Sequence, residues 1–256
     1  MAIPRKGFYP LSNAHDSEAE RLRLLERIAD PRTARLLTDA GIGPGWDCAE
    51  LGAGGGSVAR WMAEQAGPTG SVLALDLDTA LLGTFRDVPY VTVQEANLAT
   101  TALPRESFDL IHSRNLLMHL PDRERILGEL VAAARPGGVL VIEEADGFPV
   151  SAATDETFRR TVEPLTRRWQ WARTLPSVLA GLGLIDLDVF VETEMLQGGT
   201  DLADFWHHTL RTVMPMLEPG TEPAEEDVAR TLGLLGDPSF WTPFMAVVCV
   251  TARVPQ

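Results

Sequence analysis

Blocks of apolar residues alternate with amphipathic stretches through the first half of the chain. Five apolar runs have the length of buried strands, and they occupy residues 46–51, 71–78, 90–96, 108–113 and 138–145. The stretches between them have helical spacing, and the last one begins at a proline and ends at a pair of glycines. Strands that are apolar nearly throughout and alternate with helices are typical of a parallel sheet covered on both faces. The pattern therefore predicts a doubly wound α/β fold.

The second half follows this pattern less closely. After residue 146 a mixed segment leads to a sixth predicted strand near residues 184–192, and a final strand is predicted at 244–252. The residues between these two strands look helical over 201–236, and such an insertion cannot belong to the sheet. We expect a mostly parallel, seven-stranded, Rossmann-like sheet with a helical lid at about residues 193–240.

The N-terminal residues are predicted to form two helices. Residues 16–29 carry an apolar stripe, and Asp30 followed by Pro31 is a start signal for a second helix that Gly41 ends. We interpret the chain as one domain, with a helical cap (1–41), a cofactor-binding core (42–145) and a substrate-side half (146–256). The cap could pack on its own sheet or on a second copy of the chain, so an oligomer through these helices is one expectation.

Composition and charge exclude several classes of partner. The formal net charge is −14 and Lys6 is the only lysine, so the surface would repel a nucleic-acid backbone or an anionic membrane. Cys48 and Cys249 lie in apolar runs and are predicted to be buried thiols rather than a disulfide or a metal set. No apolar stretch has the length of a signal peptide or of a membrane span. We expect a cytoplasmic protein without nucleic-acid or membrane partners.

A glycine-rich turn within ELGAGGGSVARWM, residues 50–62, follows the first predicted strand. A P-loop needs a lysine after its last glycine to contact phosphates, and this turn has none. A dinucleotide-binding turn needs a third glycine for close packing of helix on strand, but Ser57 occupies that position. The observed pattern is E-x-G-x-G-x-G, from Glu50 to Gly56, in which glycines let the backbone approach a ligand closely.

Together with three further elements, this turn resembles the class I S-adenosylmethionine-dependent methyltransferases. VLALDLD contains Asp76, whose carboxylate could accept both ribose hydroxyls, although by itself it would suit NAD equally. VQEANLA places Asn97 where the family usually has an aspartate that contacts the adenine amino group, and an asparagine oxygen can accept the same hydrogen bond. FDLIHSRNLLMHL and RPGGVLVIEE resemble the family's fourth-strand and post-helix motifs. The order and spacing of all these elements carry the resemblance.

The terminal segments extend the resemblance. YPLSNAHDSEAERLRLLERIADPRT and LLGDPSFWTPFMAVV are similar to a bacterial small-molecule subgroup whose core resembles ubiquinone/menaquinone-type methyltransferases. The resemblance is thus expected over nearly the whole chain, and it implies S-adenosylmethionine as cofactor, a small-molecule acceptor of specialised metabolism, and lid roles for Tyr9 and Asn13. The cofactor-binding residues that it implies are Glu50, Gly52, Ala53, Gly54, Asp76, Leu77, Asn97, Leu98, Ser113 and Arg114.

Two histidines are candidates for the transfer step. His119 follows the fourth strand, where an acceptor should lie, and is the leading candidate for a general base; packing on the next helix is the alternative. His207 lies at the edge of the apolar stripe of a predicted helix and is the second candidate. Solvent exposure better explains His208.

Acidic and aromatic residues of the substrate-side half are the remaining candidates. Glu143, Glu144 and Asp146 follow the fifth strand and could orient the acceptor; without a second carboxylate cluster, no metal is expected. Core packing is the default explanation for the aromatic residues in the variable segments, but the same rings could line a pocket for a flat, apolar acceptor. These residues are Trp169, Trp171, Phe205 and Trp206.

The sequence therefore predicts methyl transfer from S-adenosylmethionine to an O, N or C atom of a small molecule. The leading alternative is a methyltransferase-like protein that binds S-adenosylmethionine but catalyses a cyclisation or an isomerisation, since the fold and the cofactor site do not specify the chemistry. An NAD-dependent oxidoreductase is disfavoured by Ser57.

Overall fold

The computed structural model describes residues 16–217 and 222–256, and a seven-stranded sheet lies at its centre. The strands are β1 Asp47–Leu51, β2 Ser71–Asp76, β3 Val91–Glu95, β4 Phe108–Arg114, β5 Ala134–Asp146, β6 Ile185–Gln197 and β7 Trp241–Arg253. Their order is β3-β2-β1-β4-β5-β7-β6, and β7 runs antiparallel to both neighbours. The mostly parallel α/β fold is confirmed. Because β1 to β5 are parallel, their carboxyl ends share one edge of the sheet, called the carboxyl edge below.

Helices cover both faces of this sheet. The α-helices in the described ranges are α1 Asp16–Asp39, α2 Ser57–Ala66, α3 Arg123–Ala133, α4 Phe148–Ser151, α5 Glu156–Thr166, α6 Leu175–Gly181, α7 Asp201–Val213 and α8 Glu225–Leu235. Leu37 of α1 and Met62 of α2 are buried against one face, called the α1 face. Ile126 of α3 and Leu179 of α6 are buried against the other, called the α3 face.

A third apolar cluster joins the helices of the substrate-side half. It contains Phe158 of α5, Trp206 of α7 and Phe244 of β7, together with Leu24 of α1. The ring centroids of Trp206 and Phe244 lie 4.9 Å apart, and Trp169 is 6.1 Å from Trp206. This packing ties the helices inserted between β6 and β7 to the N-terminal helix.

The two predicted N-terminal helices are one continuous helix, α1. Pro31 lies inside it and removes one backbone hydrogen bond, which ordinarily kinks or ends a helix. Leu24 and Leu37 are buried on either side of Pro31, so apolar packing supports the helix along its length. The helix packs on the sheet and on α7 of its own chain. Residues 1–15 of the predicted cap, which include Tyr9 and Asn13, lie outside the described residues.

Three strand ends differ from the prediction by about three residues or more. β5 begins directly after α3, because Ala134 pairs with Phe108 ahead of an irregularity in the ladder. β6 and β7 are longer than predicted, because Gln197 pairs with Trp241 at the end of their antiparallel ladder. The insertion between them therefore starts at residue 198, and it holds α7 and α8 where one helical stretch was predicted. In residues 16–217 and 222–256, no helix has the length and apolar character that crossing a membrane requires.

Candidate active site

The glycine turn between β1 and α2 is held against the end of β2. Gly52, Gly54 and Gly56 have φ angles of 73°, 53° and 87°, which is the left-handed region that favours glycine. The N–H groups of Gly52 and Ala53 both donate to the carbonyl oxygen of Leu75, at 2.8 and 3.1 Å. The turn is thus fixed at the carboxyl edge.

Asp76 lies beside this turn, as predicted. Its Oδ2 accepts a hydrogen bond from the N–H of Gly54 at 2.8 Å, and its Oδ1 accepts one from the N–H of Asp78 at 3.0 Å. Burial raises the pKa of Asp76, although these backbone donors oppose the shift. Each carboxylate oxygen retains capacity to accept a further bond. Leu77 is 41% exposed next to it and offers an apolar surface at the same edge.

Asn97 and Leu98 follow β3 at the neighbouring position. The chain is anchored there, because the N–H of Ala96 donates to the carbonyl oxygen of Asp76 at 2.8 Å. Asn97 Oδ1 already accepts a hydrogen bond from the N–H of Ala99 at 2.9 Å, so only its second lone pair is left for a ligand. Leu98 is buried in the core. Asn97 and Leu98 therefore follow directly on the segment anchored to Asp76. Leu98, however, packs in the core, and one lone pair of Asn97 Oδ1 is used by a local hydrogen bond.

The end of β4 carries polar atoms that the described protein atoms leave without hydrogen-bond partners. Ser113 is fully buried and its Oγ has none, and the same holds for the buried Oδ1 of Asn115. Asn115 has a φ of 52°, a conformation that asparagine tolerates better than most residues. The guanidinium of Arg114 instead donates to Thr33 Oγ1 at 2.8 Å and to Asp30 Oδ1 at 3.0 Å. Its side chain thus ties β4 to α1.

The first half of α1 lies over the glycine turn. Leu22 is 3.5 Å from the position that a Cβ on Gly54 would take, and the Glu26 carboxylate lies against Gly55. Glu26 Oε1 is buried and has no hydrogen-bond partner among the described residues, and burial raises the pKa of Glu26. Glu26 was not among the predicted site residues. Its helix encloses the space above the turn.

A buried charged cluster on the α1 face was also missed, and it includes Glu50. The ring of His112 lies between two carboxylates, with Nδ1 2.5 Å from Glu50 Oε2 and Nε2 3.1 Å from Glu143 Oε1. Glu143 also accepts hydrogen bonds from Arg32 Nε at 2.7 Å and from Thr33 Oγ1 at 2.5 Å. The only indication of this cluster in the sequence was a histidine inside an apolar strand. Its partners Glu143 and Glu50 lie 31 and 62 residues away along the chain.

The cluster shifts the pKa values of its members. Burial alone would lower the pKa of His112, but Glu50 and Glu143 outweigh it and raise the value to about 9. Burial acts to raise the pKa of Glu143, yet its bonds to His112 and the charge of Arg32 lower it to about 2. For Glu50, burial outweighs the attraction of His112 and raises the pKa. His112 and Arg32 therefore balance the charges of two buried carboxylates.

A second buried carboxylate holds the turn after β4 on the α3 face. Glu144 Oε1 accepts the N–H groups of Leu116 and Leu117 at 3.1 and 2.8 Å, and Oε2 accepts that of Met118 at 3.1 Å. Burial raises the pKa of Glu144 to about 7, although these donors oppose the shift. Arg123 binds the carbonyl oxygens of Leu117 and Met118, each at 2.9 Å. The turn is therefore held through its donors and its acceptors.

The two candidate histidines lie on different elements. His119 is the last residue of this turn and is exposed, and its N–H donates to the carbonyl oxygen of Leu116 at 3.0 Å. His207 is half-buried on α7, where burial and then Arg211 and His208 lower its pKa. The structure thus places His119 at the carboxyl edge and His207 on the inserted helices.

The other predicted acceptor residues are engaged in internal contacts. Asp146 is buried and forms a two-pronged ion pair with Arg173 at 2.6 and 2.8 Å. Trp206 belongs to the third apolar cluster, while Trp171 lies under the guanidinium of Arg123 at 5.1 Å. Phe205 lies under Arg21 at the same distance. Among the residues that the structure describes, no group of three potential ligands could hold a metal ion.

Comparisons with known proteins show that the chain is similar to methyltransferases. Residues 49–142 match the family model described as a methyltransferase domain. The chain is 27% identical to a trans-aconitate 2-methyltransferase of Variovorax paradoxus over 74% of this chain and 68% of that protein. It is 26% identical to a ubiquinone/menaquinone biosynthesis C-methyltransferase of Bordetella parapertussis over 52% of this chain and 48% of that protein. The resemblance was expected over nearly the whole chain, whereas these matches cover 52–74% of it. They cover 48–68% of the length of the two relatives.

The fold has a counterpart among solved structures. A SAM-dependent methyltransferase from Aquifex aeolicus superposes with a TM-score of 0.57 and covers 97% of this chain and 100% of that chain. The sequence identity is 15%, so this likeness concerns the fold.

Proposed function

Because this chain belongs to the class I S-adenosylmethionine-dependent methyltransferases, we propose that it methylates an O, N or C atom of a small, largely apolar acceptor with an aromatic ring. S-adenosylmethionine is the methyl donor of the family. The glycine turn and Asp76 meet at the carboxyl edge. Glu26, Ser113 and Asn115 carry buried polar atoms there that have no hydrogen-bond partner within residues 16–217 and 222–256. This juxtaposition is the observation that supports cofactor binding at the edge.

The residues at this edge fit the groups of the cofactor, which supplies a methyl group on a positively charged sulfur. Asp76 can accept from ribose hydroxyls, and Leu77 offers an apolar surface to the adenine ring. The ammonium group of the cofactor can donate to carboxylate or carbonyl oxygens near the glycine turn, where no described residue forms a hydrogen bond with Glu26 Oε1. The cofactor-binding set that we propose is Glu26, Glu50, Gly52, Ala53, Gly54, Asp76, Leu77, Asn97, Leu98, Ser113 and Asn115, with the backbone of Arg114.

Charges near the carboxyl edge favour an apolar acceptor over an anionic one. Arg173 is bound by Asp146, and Arg114 donates to Asp30 and Thr33. An anionic acceptor would have to compete with these carboxylates for the guanidinium groups. Aromatic rings are close by, since Trp171 packs with the residues around the turn that Glu144 holds. Such rings provide flat apolar walls.

His119 is the residue that we propose as general base. A hydroxyl or protonated amine must lose a proton as it becomes methylated, and a histidine titrates near neutral pH. The turn that ends at His119 is fixed by Glu144 and Arg123, which would restrict where its imidazole can lie. A fixed base at the acceptor's position contributes rate chiefly through alignment.

A panel of acceptors tests this function. Purified protein is incubated with S-adenosylmethionine and with phenols, indoles, aliphatic amines or trans-aconitate, and both S-adenosylhomocysteine and methylated product are quantified by mass spectrometry. We expect turnover with an aromatic acceptor and none with trans-aconitate. Preference for trans-aconitate would overturn the proposed acceptor class, and conversion of a substrate without S-adenosylhomocysteine release would favour a cyclisation or isomerisation.

Two further expectations accompany this function. Cys48 and Cys249 are buried free thiols, and burial raises the pKa of each to about 12. Free thiols rather than disulfides are typical of a reducing compartment, and we propose the cytoplasm on this ground. We also propose that the cap, the core and the substrate-side half fold as one domain, because the third apolar cluster joins α1 to the inserted helices.

A further inference from the structure

We propose that His112 is a positioning residue for the cofactor: its ring joins Glu50, beside the glycine turn, to Glu143, and Glu143 in turn holds α1 over that turn. This role depends on the proposed function, because it takes the space between α1 and the glycine turn as the cofactor site. In this role His112 connects the N-terminal helix to the sheet. It contacts neither the cofactor nor the acceptor in the proposed site.

The link is continuous in the structure. Glu50 and His112 are neighbours in register on β1 and β4, and His112 reaches Glu143 on β5 through its other ring nitrogen. Glu143 then binds Arg32 and Thr33 of α1 at 2.7 and 2.5 Å. Four elements that are distant in sequence are thus joined by hydrogen bonds between buried side chains.

The hydrogen bonding of the ring requires an additional proton in this cluster. An ionised carboxylate only accepts hydrogen bonds, and a neutral imidazole donates from one nitrogen. Two carboxylates on the two ring nitrogens of His112 therefore require either an imidazolium or a protonated carboxyl. We assign the proton to the ring, because the two carboxylates raise the pKa of His112 to about 9 while the pKa of Glu143 falls to about 2. The charged groups that face the cluster from other elements are Arg32, Arg114 and Glu192, and the thiol of Cys249 is a further titratable group beside it.

The second half of α1 is held by this cluster, while its first half covers the turn. Arg32 and Thr33 bind Glu143, and Asp30 binds Arg114. One to two helical turns earlier, Leu22 and Glu26 lie against the glycines. Removing the positive charge of His112 would leave the negative charges of Glu50 and Glu143 with fewer cations to balance them. Glu143 would then gain a proton or move. Either change would weaken the attachment of α1 and enlarge the space above the turn.

The test compares His112→Gln with the matched control His208→Gln on α7. Hydrogen exchange of peptides covering residues 22–36 is followed in ligand-free protein, and S-adenosylhomocysteine binding is measured by calorimetry. For His112→Gln we expect exchange in α1 and the Kd for S-adenosylhomocysteine each to rise by about tenfold. At saturating cofactor, kcat should change by less than about threefold, which separates positioning from chemistry. His208→Gln should leave all three unchanged.

The wild-type protein provides a readout that needs no folded variant. A ¹H–¹⁵N spectrum of the imidazole nitrogens should show both nitrogens of His112 protonated at pH 7.5, whereas a neutral ring would overturn the imidazolium link. If His112→Gln fails to fold, Thr33→Val removes a milder part of the same attachment and should raise α1 exchange and the Kd by a smaller factor.

The possible outcomes separate this role from the proposed function. A folded His112→Gln with wild-type exchange in α1, or with loosened α1 but an unchanged Kd, would overturn the role of His112. If the wild-type protein itself does not bind S-adenosylhomocysteine, the proposed function fails. Faster α1 exchange in the variant would still support the link to α1, and unchanged exchange would refute it.

Discussion

Glu143 and Glu144 are adjacent on β5 and both are fully buried, yet they serve opposite faces of the sheet. On the α1 face, Glu143 is paired with His112 and Arg32, and its pKa falls to about 2. On the α3 face, Glu144 is surrounded by backbone N–H groups of the turn after β4, and its pKa rises to about 7. Glu143 remains charged because cations bond to it directly. Glu144 is closer to neutrality because the backbone donors and the charge of Arg123 do not offset the effect of burial.

This difference suggests separate roles for the two faces in the proposed site, one in cofactor binding and one in methyl transfer. Cationic partners connect the α1 face to the helix that covers the glycine turn, so we expect changes on that face to alter cofactor affinity. Backbone donors connect the α3 face to the turn that carries His119, so we expect changes on that face to alter the geometry of transfer. Substitutions on the two faces should therefore differ in whether they change Kd or kcat.

Replacing Glu144 should have the largest effect. Glu144→Leu leaves the N–H groups of Leu116, Leu117 and Met118 without their acceptor, and we expect the free energy of unfolding to fall by about 4 kcal/mol. The kcat should fall as well, because the His119 turn is released. Chemical denaturation measures the first effect. Glu129→Leu, on an exposed position of α3, is the control, and equal stability of the two variants would refute the role of Glu144.

The pH dependence of stability should distinguish the α1 face. The pKa of His112 is about 9 in the folded protein, above its ordinary value of 6.5, so the folded state binds the additional proton. Its stabilisation is complete below pH 6.5 and is lost as the pH rises through 9, by about 3 kcal/mol in all. The difference in unfolding free energy between wild type and His112→Gln should shrink over this range. A difference independent of pH would show that His112 does not titrate there.

His119 should influence turnover and leave cofactor binding unchanged. His119→Ala removes the proposed base, and we expect kcat to fall by about 100-fold while the Kd for S-adenosylhomocysteine stays within twofold. His208→Ala is the matched control. Steady-state kinetics with the acceptor found in the panel measures the effect, and an unchanged kcat would remove His119 from the mechanism.

The smallest effect is expected for a single hydroxyl on α1. Thr33→Val removes a donor to Glu143 and an acceptor for Arg114, which should lower the free energy of unfolding by about 1 kcal/mol. Thr38→Val on the same helix removes only a bond to the carbonyl oxygen of Ala34 and serves as control. If both variants are equally stable, Thr33 does not contribute to the attachment of α1.

The sheet was predictable because its signals are local. Apolar runs and glycine stops lie within single elements, and the carboxyl ends of parallel strands meet at one edge, which brought Asp76 to Gly54 as expected. The charged cluster was not predictable in the same way. Arg32 is 111 residues from Glu143, and Glu50 was interpreted from its motif, with no indication that His112 would bind it. Pairings of this kind depend on strand register and on the docking of α1, which follow from the assembled core.

Helix ends and strand ends show the same limit. The proline of α1 is a local stop signal that packing on both sides overrides, and Ala134 is extended because Phe108 pairs with it. Glu26 and Asn115 carry no sequence signal specific enough to separate them from surface residues. What marks them in the structure is one buried side-chain oxygen each, without a hydrogen-bond partner in the part of the chain that the structure describes.

The central claim is that the space bounded by the glycine turn, Asp76 and α1 binds S-adenosylmethionine. Titration calorimetry of the wild-type protein with S-adenosylhomocysteine and with NAD, repeated on Asp76→Ala and on the control Asp78→Ala, tests it most directly. We expect saturable binding of S-adenosylhomocysteine, no binding of NAD, and a loss of affinity of about 30-fold or more that is confined to Asp76→Ala. Binding of NAD alone, or equal affinity in the wild type and Asp76→Ala, would contradict the account.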